Sequence, residues 1–241
     1  MSVSKHLDKN NLHHAYLIEG KREEVLPEIS KFLESVGFKT EGNSDFLKIE
    51  VDSFKIENAR NLKSYSTEKS FGAGRKIFVI TANSFLLEAQ NSLLKMFEEP
   101  IPDTHFFLIV PDQNALLKTF VSRFYVVKRE GESKDTYTEA EEFISMPLKN
   151  KIDFIKDMLA EVDEKDDEGN EIEVLDSTRS KALNFLNHLE TALHERFVSR
   201  FHLDDTKAFE HIFKVREFLR MPGSSAKNLL ESVALIMPVI Q

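Results

Sequence analysis

The chain of 241 residues contains no cysteine. It can therefore form neither disulfides nor thiolate zinc sites, and it has no cysteine nucleophile. It also lacks any run of eighteen apolar residues, which a membrane-spanning helix needs, and no apolar signal core follows Met1. These absences fit a reducing compartment, and we expect a cytoplasmic protein without a membrane segment.

Basic residues are too few to balance the acidic ones, and the net charge is −9. Residues 1–130 hold 18 basic and 18 acidic side chains, whereas residues 131–241 hold 14 and 23. Phosphate backbones are bound by clustered Lys and Arg, so the chain is a poor candidate for wrapping DNA alone. We expect any contact with DNA to be shared with partners.

The first half alternates short apolar runs with helical patterns, which is typical of a parallel sheet with crossover helices. The predicted strands are 15–19, 46–51, 76–81, 104–110 and 124–128. The predicted helices between them are 25–36, 56–68, 86–99 and 115–121. The fold class of this half is therefore α/β.

The second half carries only helical patterns. A polar stretch at 129–138 is predicted to be a linker, and residues 163–173 hold seven carboxylates against one lysine, which indicates a solvated loop. Helical spacing of apolar residues predicts a helical bundle. This spacing is found between the two stretches and again over 178–201, 205–220 and 224–239. Asp205 and Ser224 are predicted N-caps, with Pro222 and Gly223 between the last two helices. We predict two domains, 1–130 and 131–241.

One segment is specific enough to indicate a family. The sequence EAQNSLLKMFEEP at 88–100 resembles the helix after the Walker B strand in clamp-loader AAA+ subunits. The sequence LLKTFVSRF at 116–124 resembles that family's segment ending in Ser-Arg-Cys. HAYLIEG at 14–20 and KIENAR at 55–60 are similar to its opening strand and its helix before Walker B, and 218–238 to the last helices of its collar domain.

The resemblance implies a fold and a set of partners. It implies an AAA+-like core followed by an all-α collar-like domain, with the usual three-helix lid reduced or absent, because little chain separates the two. It also implies a hetero-oligomer with the clamp-loader ATPase subunits (gamma/tau) and the delta subunit of DNA polymerase III. Through that complex the chain would act indirectly on a sliding clamp and primer-template DNA.

The nucleotide-binding motifs of the family are missing. A P-loop needs a glycine-rich turn, a lysine and a hydroxyl, but only Gly20, Lys21, Arg22, Glu23 and Glu24 follow the first strand. The positions that align with the Walker B acids are Ile80 and Thr81, and the sensor-like positions are Pro111 and Asp112. These losses favour the non-hydrolysing delta-prime branch, and we expect no intrinsic ATPase activity and no bound cofactor.

Arg123 is the candidate site residue. In the resembling family the arginine of Ser-Arg-Cys reaches the ATP site of a neighbouring subunit, and a guanidinium can neutralise the charge of the transferred phosphoryl group. The resemblance thus implies that Arg123 is an arginine finger in trans. Without the motif, a surface salt bridge would be the simpler interpretation.

Other polar residues do not form a convincing site. Glu98 and Glu99 are neighbours on a helix and point in different directions, so we interpret them as a helix end before Pro100. His13 and His14 have no third ligand at metal-binding spacing, so we expect no metal site. Two alternative functions remain: an active clamp-loader ATPase of the gamma/tau type, and an orphan AAA+-like scaffold in replication or repair.

Overall fold

The computed structural model describes residues 3–9, 11–68, 74–127, 134–160, 177–199, 203–219, 221 and 223–237. The chain forms two compact units, Met1–Gly131 and Glu132–Gln241. Their boundary lies one residue from the predicted one, and the roles assigned to the two halves stay predictions. The predicted acidic loop at 163–173 and Pro222 lie outside the described residues.

Unit 1, Met1–Gly131, is built around a five-stranded parallel sheet in the order β2-β3-β4-β1-β5. Its strands are β1 Ala15–Glu19, β2 Phe46–Phe54, β3 Lys76–Phe85, β4 Thr104–Val110 and β5 Tyr125–Val127. Strand β1 lies between β4 and β5, and β3 lies between β2 and β4. The predicted α/β fold class is thereby confirmed.

Strands β2 and β3 extend beyond their predicted ends at residues 51 and 81. The prediction stopped where the apolar runs stop, but the polar residues that follow pair across the two strands. Asn83 donates to the carboxylate of Asp52 over 3.0 Å, and the hydroxyl of Ser84 lies 3.1 Å from that of Ser53. These contacts satisfy the polar side chains and allow both strands to continue.

The helices of unit 1 largely follow the prediction. They are a 3₁₀-helix Val3–His6, α1 Arg22–Ser35, α2 Ile56–Thr67, α3 Leu87–Glu98, a 3₁₀-helix Gln113–Ala115 and α4 Lys118–Val121. Helix α1 begins three residues before the predicted start, because charged residues form its first turn and only later residues are apolar. The predicted helix 115–121 is divided into a 3₁₀ turn and a short α-helix, and the first 3₁₀-helix was not predicted.

Both faces of the sheet are buried. Alternate residues of the central strands point to opposite sides, and each side carries its own helices. Helix α1 and the 3₁₀-helix Val3–His6 cover one face, whereas α2, α3 and α4 cover the other. The carboxyl ends of the strands therefore lie at one edge of a three-layer unit and their amino ends at the opposite edge.

A phenylalanine cluster fills the second face near the amino edge. The ring of Phe97 lies 4.6 Å from that of Phe124, 5.1 Å from Phe106 and 5.7 Å from Phe120. Phe97 belongs to α3, whereas Phe124 directly precedes β5. The cluster therefore joins the end of α3 to the beginning of β5.

Unit 2, Glu132–Gln241, contains α5 Lys134–Ser145, α6 Leu148–Met158, α7 Thr178–Ser199, α8 Leu203–Leu219 and α9 Ala226–Ile236. Helix α7 packs against α5 and α8, and α9 packs against α6 and α8. Their inward faces form one apolar core. The predicted helical second half is confirmed. The predicted reduction of the lid stays a prediction.

Three predictions about unit 2 were wrong. The predicted linker 129–138 overlaps α5, which already begins at Lys134, because a polar stretch without proline can form the first turns of a helix. The N-cap of α9 is Ser225, whose hydroxyl accepts from the amide of Asn228 over 3.3 Å. Ser224 instead donates to the carbonyl of Met221 over 3.0 Å. The predicted N-cap Asp205 lies inside α8, which begins at Leu203.

Among the described residues, no helix combines the length and the hydropathy that a membrane span needs.

We predict that Phe97→Ala lowers the free energy of unfolding of unit 1 by about 3–5 kcal/mol, because it removes a ring that contacts three others. Three of the four tyrosines lie in unit 1, so tyrosine fluorescence during urea denaturation follows this unit. Leu87→Ala, on the same helix at a side chain that is 58% exposed, is the control and should change stability by less than about 0.5 kcal/mol. Equal losses in both variants would contradict the role of the cluster.

Candidate functional site

The connection between β1 and α1 lies at the carboxyl edge of the sheet, where α/β folds bind nucleotides. Only Gly20 and Lys21 separate Glu19, the last residue of β1, from Arg22, the first of α1. The amide of Gly20 donates to the carbonyl of Val110 over 2.9 Å. A P-loop requires about eight residues whose amides surround the phosphates. A two-residue connection tied to β4 cannot form that cradle.

The charges at this edge are also unfavourable for a triphosphate. Helix N-termini attract anions, but the first turn of α1 already holds Glu23 and Glu24. The Nε of Arg22 contacts the Glu23 carboxylate at 2.7 Å. The carboxylate of Glu19 accepts from the amide of Gln113 over 3.4 Å. Three carboxylates therefore lie within six residues of one another around this connection, and Glu23 already pairs with Arg22.

The positions aligned with the Walker B acids lie inside β3. Ile80 is fully buried and pairs with Leu108 of β4, and Thr81 is 2% exposed. The hydroxyl of Thr81 has no hydrogen-bond partner in the part of the chain that the structure describes. Since β3 continues to Phe85, neither residue lies at the strand end, where a magnesium ligand would be needed.

The sensor-like positions do not project a polar group from the end of β4 either. Pro111 follows β4 directly, and the carboxylate of Asp112 accepts from the amide of Asn114 over 2.8 Å, so it caps a 3₁₀ turn. Another acid near this edge is Asp52, which lies near the end of β2 and accepts from the side-chain amide of Asn83 in β3. Sequence reasoning missed this pair, although polar residues that follow two neighbouring strands were a usable signal.

Gln90 holds two loops of this edge together. The residue is 3% exposed, and its side-chain amide donates to the carbonyl of Phe85 over 2.8 Å. Its side-chain oxygen accepts from the amide of Leu117, the N-cap of α4, over 2.7 Å. Helix α3 thereby fixes the start of α4.

Arg123 lies at the opposite edge of the sheet. It follows α4 in a turn closed by its amide, which donates to the carbonyl of Phe120 over 3.1 Å, and β5 begins two residues later at Tyr125. Because all strands are parallel, the amino end of β5 and the connection at Gly20 lie at opposite edges. A five-residue strand such as β1 spans roughly 16 Å. Arg123 is therefore far from the carboxyl edge of its own sheet.

The guanidinium of Arg123 is held but accessible. It forms an ion pair with the carboxylate of Glu98, and its other terminal nitrogen lies 2.7 Å from the hydroxyl of Ser122. Its Nε is buried without a hydrogen-bond partner among the described residues, and 30% of the side chain is exposed. Phe124, at the place of the family cysteine, packs beneath against Phe97 and Phe120. The site thus presents one fixed cation at the amino edge.

Histidines gather at the same edge. His13 and His14 precede β1 with ring centroids 4.2 Å apart, and Nδ1 of His105 lies 3.0 Å from the carbonyl of His13. Among the described residues, no three potential ligands are grouped so that they could hold a metal ion. Burial lowers the pKa of His14 and His105, and the neighbouring His13 further lowers the pKa of His14. His14 and His105 therefore belong to the packing under the edge, where burial disfavours their charged form.

This burial predicts that acid destabilises unit 1. The pKa of His14 and His105 is below 6.5 in the folded chain and returns to about 6.5 on unfolding, so the unfolded chain binds more protons as pH falls below that value. The stabilisation is present above pH 6.5 and is lost as pH falls through the folded pKa values. The urea midpoint should thus be lower near pH 5.5 than near pH 7.5.

The variant His105→Asn tests this prediction, because its side-chain amide can still donate to the carbonyl of His13 but does not titrate. Its midpoint should change less between the two pH values than that of the wild type. An equally large change in the variant would show that other groups cause the loss.

Sequence comparisons relate part of this chain to known proteins. Residues 36–131 match the sequence model of the family described as DNA polymerase III, delta subunit. A relative from Bacillus subtilis, DNA polymerase III subunit delta', is 28% identical over 138 residues. The aligned region covers 48% of this chain and 42% of that protein, so the match spans less than half of either.

Solved structures with a similar course of the chain come from two organisms. A DNA polymerase III gamma subunit-related protein from Thermotoga maritima aligns over 92% of this chain and 93% of its own, with 15% identity and a TM-score of 0.44. The Bacillus subtilis DNA clamp loader delta protein aligns over 98% and 87%, with 12% identity and a TM-score of 0.42. The family-model match lies in the sheet-bearing half. Together the two sequence matches confirm that this chain resembles the delta and delta' subunits of DNA polymerase III.

Proposed function

We propose that the chain is a non-catalytic, delta-prime-like subunit of the DNA polymerase III clamp loader. In this role it stabilises the loader ring and supplies Arg123 in trans to the ATP site of a neighbouring ATPase subunit. The loader then places a sliding clamp on primed DNA. The observation that carries the proposal is the position of Arg123, which is exposed at the edge of the sheet opposite its own degenerate nucleotide site.

The carboxyl edge supports the absence of intrinsic hydrolysis. Phosphoryl transfer needs a phosphate cradle, a magnesium ligand and a residue that orients the attacking water. The connection after β1 is two residues long, and Ile80 and Thr81 are buried in β3. The carboxylates of Glu23 and Glu24 add repulsion where a triphosphate would bind.

The amino edge supports a role in another subunit's reaction. An arginine finger stabilises the negative charge that is spread over the oxygens of the transferred phosphoryl group. Arg123 has the required charge and 30% exposure, and the phenylalanines beneath it fix the turn from which it projects. Such a fixed cation loses little conformational freedom when it meets a phosphate.

Unit 2 supports assembly with other subunits. Helices α8 and α9 expose several large apolar side chains, each between 41% and 65% accessible: Phe213, Phe218, Leu235 and Ile236. Exposed apolar side chains mark a surface that contacts other proteins where they form one contiguous patch, and we propose that these side chains do so. We propose that this unit contributes to a helical collar with the gamma/tau and delta subunits.

The deciding experiment reconstitutes the loader from this chain, the ATPase subunits, the delta subunit, the clamp and primed DNA. Arg123→Ala should leave assembly intact and slow hydrolysis at the adjoining site by about 10³-fold or more. Single-turnover measurements resolve that site from the others. Arg123→Lys is the matched variant, which keeps the charge but not the planar fork, and it should recover only part of the rate.

Two outcomes would contradict the proposal. Unchanged stimulated hydrolysis in Arg123→Ala would exclude the finger role. Turnover of ATP by the purified chain alone, lost on mutation of its own residues near Gly20 or Thr81, would identify an active ATPase instead.

A further inference from the structure

We infer that Glu98 is a positioning residue for Arg123, which holds the guanidinium in the orientation from which it reaches a neighbour's triphosphate. This inference rests on the proposed function. Its basis is the ion pair between the two side chains, which are separated by 25 residues in the sequence.

Apolar packing creates the pair. Glu98 directly follows Phe97, and Arg123 directly precedes Phe124. The rings of Phe97 and Phe124 lie 4.6 Å apart, so the residues next to them are brought within reach of one another. The pair is therefore a consequence of the core beneath it and is held at a fixed place on the surface.

The position of Glu98 at the end of a helix favours an ion pair with a cation. It is the last residue of α3, and the C-terminal end of a helix carries partial negative charge that disfavours a carboxylate. The positive charge of Arg123 offsets both the Glu98 carboxylate and the partial negative charge of the helix end. This electrostatic reason favours the contact in the free subunit, before any nucleotide is near.

The contacts leave donors for a phosphate. Glu98 engages one terminal nitrogen of Arg123 and Ser122 engages the other. Each terminal nitrogen carries two hydrogens, so one hydrogen on each remains for phosphate oxygens. The two contacts restrict the rotamers of a long side chain without consuming its capacity to bind an anion.

The strength of the ion pair decides whether Glu98 inhibits Arg123 or orients it. The side chains are 30% and 46% exposed, and exposed ion pairs contribute little. An arginine finger changes rates by about 10³-fold or more. The ion pair with Glu98 is much weaker than such an interaction, and it therefore cannot withhold Arg123 from a triphosphate. Glu98 therefore orients Arg123 and does not inhibit it.

Glu99 provides a matched control. It is the next residue, it is also acidic and exposed, and it caps the same helix end with its amide donating to the carbonyl of Lys95 over 3.0 Å. Glu99 lies outside the helix as its C-cap. A neutral substitution there changes the net charge equally and leaves the Glu98 carboxylate that contacts Arg123 in place.

The test compares Glu98→Gln and Glu99→Gln in the reconstituted loader. For Glu98→Gln we expect a two- to fivefold lower kcat, about the size that an exposed pair allows, with KM for ATP and assembly unchanged. Glu99→Gln should behave as the wild type. In the Arg123→Ala background, Glu98→Gln should have no further effect, whereas a merely structural role would lower kcat in both backgrounds.

The outcomes separate this inference from the proposed function. If Arg123→Ala slows hydrolysis but Glu98→Gln equals Glu99→Gln, or raises KM or weakens assembly, the positioning role is wrong and the finger stands. If Arg123→Ala has no effect either, the proposed function fails with it.

Discussion

The contact between Phe97 and Phe124 determines where the candidate site lies. These rings connect the end of α3 with the turn that precedes β5, two segments that the sequence separates by a whole strand and a short helix. Phe106 of β4 and Phe120 of α4 complete the cluster, so the sheet and both helices share one apolar contact. The cation of Arg123 rests on this cluster, and its partner Glu98 is placed by the same rings.

The two edges of a parallel sheet can carry two separate sites. Strand carboxyl ends and the following helix N-termini form the edge that holds a nucleotide, whereas strand amino ends form the opposite edge. In this chain the first edge has a short connection, a buried Ile80 and several carboxylates. The second edge carries Arg123.

Much of this fold could be predicted from local patterns. The limits of β1 and β4 were predicted correctly, because both strands are mainly apolar and are followed by Gly20 and Pro111, which end an extended run. The ends of β2 and β3 were not, because Asp52 and Asn83 look like loop residues until they are seen to pair. Ser225 rather than Ser224 caps α9, and two adjacent serines cannot be told apart by residue type.

The candidate site was predictable only in part. Arg123 was identified from its resemblance to a motif, and the motif says nothing of what the side chain contacts. Glu98 was interpreted as a helix end, which is correct for the backbone, but its carboxylate is directed by tertiary packing that no spacing in the sequence encodes. Partners of this kind depend on how the end of α3 meets the turn after α4, and they become visible only when the core is assembled.

The arrangement also explains why the arginine is not buried more deeply. A guanidinium inside the phenylalanine cluster would need full pairing, since an unpaired buried charge is costly. At the surface, one terminal nitrogen contacts Glu98, the other contacts Ser122, and the Nε is buried. The guanidinium therefore stays partly hydrated, which favours its charged form, and its orientation is restricted. Under the proposed function, Arg123 would exchange one weak carboxylate contact for a phosphate, and the phenylalanine cluster beneath it would not need to rearrange.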